Sequence, residues 1–172
     1  MIIILKLNEV INLEDKEKKE DNLFRKTDGV LFNYENIKAE IDIIDIEIEE
    51  IREEINGVSG MNYGEKSTPT NAFNSSVENE LLKKEKEINR LLKEKNSKER
   101  LIKKIDRAIS KGLDEKERDI IKARCFERKS WDRVSQIVNI DGDYCCKIKK
   151  AAIEKISKMI WIREKYSEKV QE

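Results

Sequence analysis

The stretch YENIKAEIDIIDIEIEEIREEI, Tyr34 to Ile55, decides how this chain folds. Its apolar residues Tyr34, Ile37, Ile41, Ile44, Ile48, Ile51 and Ile55 recur at gaps of 3, 4, 3, 4, 3 and 4. A half-buried strand needs period two, so this is the seam of a heptad helix. Asn33 is placed to cap its start and Asn56-Gly57 to end it. Ile43 and Ile46 lie off the seam and widen the apolar face, which leaves room for a further partner helix.

A second seam follows: Val77, Leu81, Ile88, Leu91, Ile102, Ile105 and Ile109, with Lys84, Lys95 and Lys98 in other heptad slots. Ser75 and Glu78 form a capping box at its start, and Gly112 stands where a left-handed C′ residue belongs. The helix so defined has about 36 residues, roughly 54 Å. Residues 81–111 carry 12 bases and 5 acids, whereas the first seam is acid-rich. The simplest expectation is a long antiparallel coiled-coil hairpin over residues 33–112, acidic strip against basic strip. Its connection, residues 57–74, holds three glycines and the only proline, and is long for a helix–helix link. Residues 1–32 read as an acidic, loosely attached extension.

Composition agrees with an all-α chain. Of 172 residues 42% are charged, and only six are glycine, too polar and too poor in turn residues for a sandwich or barrel. The apolar run Met1–Leu5 is far short of the ~20 residues that span a bilayer, and a signal-peptide pattern is missing, so the expected location is the cytoplasm. With no histidine, Ser-His-Asp chemistry and the common His-ligated zinc sites are excluded. No glycine-rich phosphate loop occurs. Cys125, Cys145 and Cys146 lack CxxC spacing and read as reduced thiols. No enzyme activity, metal or cofactor is expected.

Formal net charge is zero, but residues 1–80 hold 19 acids and 9 bases while 81–172 hold 17 acids and 27 bases. Such asymmetry hints at nucleic acid. Residues 112–172 hold 15 bases and 12 acids, so most of the excess sits in the long helix, where it is expected to face the acidic one. Motif geometry therefore has to carry the DNA argument.

In residues 113–172 the pattern shortens. Asp114 and Glu117 form a second capping box, opening a helix that reaches Phe126. Ser130 caps a short helix from Trp131 to Val138, with Trp131 as its core anchor. After Asn139-Ile140, Asp141 caps a last helix with Cys145, Ile148, Ala152 and Ile156 on its inner stripe. Short helix, tight turn and longer helix is the helix-turn-helix arrangement. Its second helix enters the major groove, so its outer face, here Gly142, Asp143, Tyr144, Cys146, Lys147 and Lys150, must be polar or basic. Asp141 and Asp143 stand at a helix start, where capping explains them better than a metal.

LDEKERDIIKARCFE (Leu113–Glu127), KSWDRVSQIV (Lys129–Val138), Ile140-Asp141 and KKAAIEKI (Lys149–Ile156) resemble region 4 of bacterial sigma factors, which recognises the −35 promoter element. With FNSSVENE (Phe73–Glu80) the likeness extends over Leu23 to Ile160. It is to sigma-like regulators of phages and prophages, in the style of the RinA and ArpU late-gene activators. The resemblance implies base contacts at Gly142, Asp143, Tyr144, Cys146 and Lys147. Arg128, Lys129 and Arg133 around the preceding helix, with Lys149 and Lys150, are the expected phosphate contacts. Double-stranded DNA and host RNA polymerase are the implied partners, with a homodimer through the hairpin. No counterpart of the −10-melting region is present, so the resemblance points to a regulator rather than a complete sigma factor. Rival readings are a small terminase subunit, which would assemble as a ring, and a coiled-coil scaffold that binds no DNA.

Overall fold

A computed structural model describes residues 18, 20–59 and 76–162. Residues 20–32 are helical (α1), and there follow α2 (Tyr34–Ser59), α3 (Ser76–Gly112), α4 (Glu115–Ile121), a π-helical turn (Lys122–Phe126), α5 (Trp131–Val138) and α6 (Gly142–Ile160). Among the described residues there is no strand; the protein is all-α. The chain divides into two compact units, one built from residues up to Glu35 together with those from Leu101 onward, the other from Asn36–Arg100.

The first unit closes around α6. Leu31 of α1, Ile105 and Ile109 of α3, Ile121, and Ile153 and Ile156 of α6 are all buried in one cluster. Each such side chain contributes roughly 1.5–3 kcal/mol by leaving water. Residues 20–32 are therefore not the loose extension that their acidic composition suggests. Leu31 and Thr27 are completely buried. Thr27 Oγ1 donates to the Leu23 carbonyl (2.7 Å) and accepts from Trp161 Nε1 (2.9 Å). The Lys26 ammonium lies 3.9 Å from the centre of the same indole ring. Trp161 thus anchors α1. Residues 1–17 lie outside the described residues.

Tyr34 stacks on Phe126 at 4.1 Å, and its hydroxyl donates to Asp106 (2.7 Å); burial, then the Asp106 carboxylate, pushes its pKa well up. Asn33 donates to the Gly29 carbonyl through both its backbone and side-chain nitrogens, which closes the end of α1. At Gly112 the expected left-handed φ is not found, since no described glycine has positive φ. What glycine supplies there is space: a Cβ would stand 2.1 Å from Met159 Cε. α4 also stops short of the expected Phe126, giving way to the π-turn.

In the second unit Ile44 and Ile48 of α2 pack on Leu91 of α3, with Ile51, Ile88 and Leu92 half-buried around them. Lysines at the α3 seam reach acids on α2: Lys84 to Glu54 (3.4 Å), Lys95 to Asp45 (2.5 Å) and Lys98 to Glu40 (2.8 Å). Partner numbers fall along α2 as they rise along α3, so here the two segments run in opposite senses. The hydrogen bond to Asp45 holds Lys95 above the usual ammonium pKa, and that to Glu40 does so for Lys98. α2 continues through Asn56-Gly57 to Ser59, beyond the expected stop. The rest of the 57–74 connection, and Ser75 of the first capping box, lie outside the described residues.

The expected facing of basic and acidic strips holds for only part of α3. Lys83, Lys86, Lys93 and Arg100 are exposed, with no partner among the described residues, and so are Lys104, Arg107 and Lys111 in the first unit. Ile43 and Ile46 of α2 remain 53% and 58% exposed.

Candidate nucleic-acid interface

α4 begins at a complete capping box. Asp114 Oδ1 accepts from the Glu117 amide (2.8 Å), and Glu117 Oε2 accepts from the Asp114 amide (3.1 Å). The other Glu117 oxygen accepts from Lys155 Nζ (2.6 Å), so one carboxylate both starts α4 and ties it to α6. This bond raises the Lys155 pKa.

A small apolar cluster then fixes α5 and α6 against α4. Ile120, Ala123, Val134 and Cys145 are its buried members, and Trp131, Val138, Ile140 and Ile148 pack around it. Trp131 is the expected anchor; the Arg124 guanidinium lies 4.9 Å above its ring and donates to the Lys129 carbonyl (2.7 Å). Ser130 Oγ caps α5 by accepting from the Arg133 amide. α5 ends on Asn139, whose left-handed backbone (φ 52°, ψ 48°) turns the chain sharply. Asparagine tolerates that region better than most residues. Ile140 then drops into the cluster. Asp141 Oδ1 accepts from the amides of Asp143 (2.9 Å) and Tyr144 (3.4 Å), starting α6 three residues after α5 ends. Asp141 is thereby the N-cap of α6, whereas Asp143 enters the cap only through its backbone amide, its carboxylate lying in the first turn. Among the described residues no group of three or more His, Cys, Asp or Glu could hold a metal.

α6 has two buried faces, where the sequence pattern marks one. Cys145 and Ile148 serve the small cluster, while Ala152, Ile153, Ile156 and Ile160 serve the large one. Burial pushes the Cys125 thiol up to about 11 and also raises that of Cys145, which keeps both protonated and unreactive at neutral pH.

At about 100° per residue, Asp143, Lys147 and Lys150 stand opposite the Cys145–Ile148–Ala152 stripe. All three are exposed, Tyr144 beside them is 57% exposed, and Gly142 and Cys146 are half-buried at the edge of this face. Lys147 and Lys150 have no partner among the described residues.

The remaining phosphate candidates are placed differently. Lys149 Nζ lies 2.7 Å from Asp28 Oδ1 of α1, its side chain only 18% exposed, so it clamps α1 to α6. Arg128 adopts φ 54° and turns its guanidinium onto Phe32, 4.6 Å from the ring centre and 3.4 Å from the Phe32 carbonyl. Lys129 pairs with Glu127. Arg133 is exposed on α5 and donates to Gln136 (3.0 Å). The structure therefore gathers Asp143, Tyr144, Lys147 and Lys150 on one outward face and commits Lys149, Arg128 and Lys129 to neighbours within the chain.

Residues 23–158, from α1 through most of α6, match the family described as Protein of unknown function (DUF722). The chain belongs to this family. Neither curated proteins nor solved structures give a match. The match begins at Leu23, so the DUF722 region includes the helix that clamps α6 through Asp28 and Thr27. Among the described residues no helix is long and apolar enough to cross a membrane.

Proposed function

We propose that this DUF722 protein is a phage-type transcriptional regulator that binds promoter DNA through α4–α6, a sigma-region-4-like helix-turn-helix. In this reading α6 is the recognition helix and α5 lies across the backbone. α2 and α3 form a coiled-coil hairpin that dimerises or meets host RNA polymerase, in the bacterial cytoplasm. No catalytic step is involved.

The observation that carries the proposal is the outward face of α6. Asp143, Tyr144, Lys147 and Lys150 are presented within its first three turns, the two lysines unpaired, while the opposite face is locked by Cys145, Ile148 and Ile140. A rigid inner stripe and a polar outer start are what a groove-reading helix requires. The roles follow from chemistry. Asp143 accepts from a cytosine amino group and the Tyr144 ring meets a thymine methyl. Lys147 and Lys150, one turn apart, reach phosphates, and Arg133 holds the backbone from α5. Lys149, Arg128 and Lys129 act indirectly, by fixing the surfaces from which these residues project.

The test is selection of bound duplexes from a random pool, followed by binding of the winning sequence against salt. Wild type should lose affinity steeply as salt rises. Lys147→Ala with Lys150→Ala should bind more weakly and lower the salt slope by about two, near one per phosphate contact. If the pool yields no enriched sequence, or the double variant binds like wild type, the reading fails.

A further inference from the structure

We infer that the outer face of α3 within Asn36–Arg100 is a second, sequence-independent contact for the phosphate backbone of a nucleic-acid duplex, centred on Lys86, Lys93 and Arg100. The inference rests on the DNA reading above and adds a surface to it. These three residues are seven apart, so they recur about every 10.5 Å along one side of the helix. They stand roughly 140–180° round from Leu91, the α3 residue buried against α2. Each is exposed and has no partner among the described residues.

Neighbouring acids cancel little of this charge. On α3 itself Glu87 is held by Arg90 (2.6 Å), Glu94 by Lys98 (3.2 Å) and Glu99 by Lys95 (3.7 Å), which leaves exposed Glu85, about 100° round from Lys86, as the nearby carboxylate without a partner among the described residues. Of the α2 acids without an ion pair among the described residues, Asp42, Glu49, Glu50 and Glu53 lie on that helix's far side from Ile44 and Ile48, and Glu47 faces Arg90 rather than the Lys86–Lys93–Arg100 stripe. Two helix diameters, roughly 20 Å, separate the outer faces, against a screening length of about 8 Å at physiological salt.

The polar company of the basic residues selects the partner class. Asn89, Asn96 and Ser97 share the face and are exposed. Its one large apolar residue, Leu82, stands at the beginning. Protein interfaces have apolar or aromatic cores and are depleted in lysine. Lys, Arg, Asn and Ser without an apolar centre match the donor set that contacts phosphates. The outer face of α2 offers the contrast, with exposed Ile43 and Ile46 among carboxylates.

The experiment uses the full chain with Lys86→Gln, Lys93→Gln and Arg100→Gln together. These are exposed helix positions where glutamine keeps the helix, and an unchanged melting curve confirms the fold. Binding to the selected duplex and to a random one of equal length is measured against salt. The expected result is weaker binding to both by a similar factor, with the salt slope reduced by up to about 2.7, or 0.9 for each phosphate no longer neutralised. The ratio of specific to random affinity should stay the same. An unchanged slope, with wild-type binding intact, overturns the inference and leaves the helix-turn-helix reading standing. Wild-type self-association that this variant abolishes at unchanged slope would assign the face to a second copy instead, and also overturns it. Absence of any wild-type DNA binding removes both proposals.

Discussion

The two units are held by different forces. In the first, α6 sits between two apolar clusters, and Leu31, Ile105, Ile120, Ile121, Val134 and Ile156 are 0% exposed. In the second, only Ile44, Ile48 and Leu91 among the described residues fall below a tenth exposed, and the pairing of α2 with α3 is finished by ammonium–carboxylate contacts at half-exposed positions. Apolar burial is insensitive to salt and punishes any loss of volume; surface ion pairs add little and fade with ionic strength. The comparison teaches where rigidity resides. The unit that presents Asp143, Lys147 and Lys150 is built to hold its geometry. The two-helix unit is built for adjustable contacts along its charged faces.

Ile156→Ala should break this contrast most severely. It opens a cavity between α6 and the large cluster, and thermal or urea unfolding should show a loss of about 2–5 kcal/mol. A loss below about 1 kcal/mol would mean that the first unit is not the rigid one. Leu91→Ala should cost less, about 2 kcal/mol, because half-exposed Ile51, Ile88 and Leu92 can close over the gap. Hydrogen exchange should localise that loss to α2 and α3, leaving amides of α6 protected. The smallest effect is expected for Asp45→Asn, which removes the acceptor facing Lys95. The unfolding midpoint should hardly move at high salt and fall slightly at low salt. Equal shifts at both would refute the electrostatic account of this unit.

Legibility in the sequence divides along local and long-range chemistry. The seams of α2 and α3, the Asp114–Glu117 box, the Ser130 and Asp141 caps and the outer face of α6 could all be read, because each is fixed within one or two turns of chain. α1 could not. Leu23, Phe24, Thr27 and Leu31 lie among charged residues without a clear boundary, and the donor that meets the buried Thr27 hydroxyl, Trp161 Nε1, is far away in sequence. Missing α1 also hid the role of Lys149, since Asp28 supplies its partner. The pairing of Arg128 with Phe32 was hidden for the same reason. The π-turn was illegible too: KARCF has the apolar spacing of continued α-helix, and the contact that Phe126 makes at its end, a stack on Tyr34, is long-range. On α3 the sequence supplied the charge but not the side. Lys84, Lys95 and Lys98 turn inward because they share a face with Leu91, whereas Lys86 and Lys93 do not.

The clamp between Thr27 and Trp161 also governs how the molecule can be born. These two residues are 134 apart in the chain. At about 5–20 residues per second, translation separates their appearance by something on the order of ten seconds. Throughout that interval α1 has no α6 to cover Leu31, whereas α2 and α3 can already pair. The outer face of α6 is therefore completed after the second unit, and its packing waits until α1, made before it, has been recaptured. A nascent chain halted before residue 161 should carry a formed second unit and an α1 still open to chaperones and proteases.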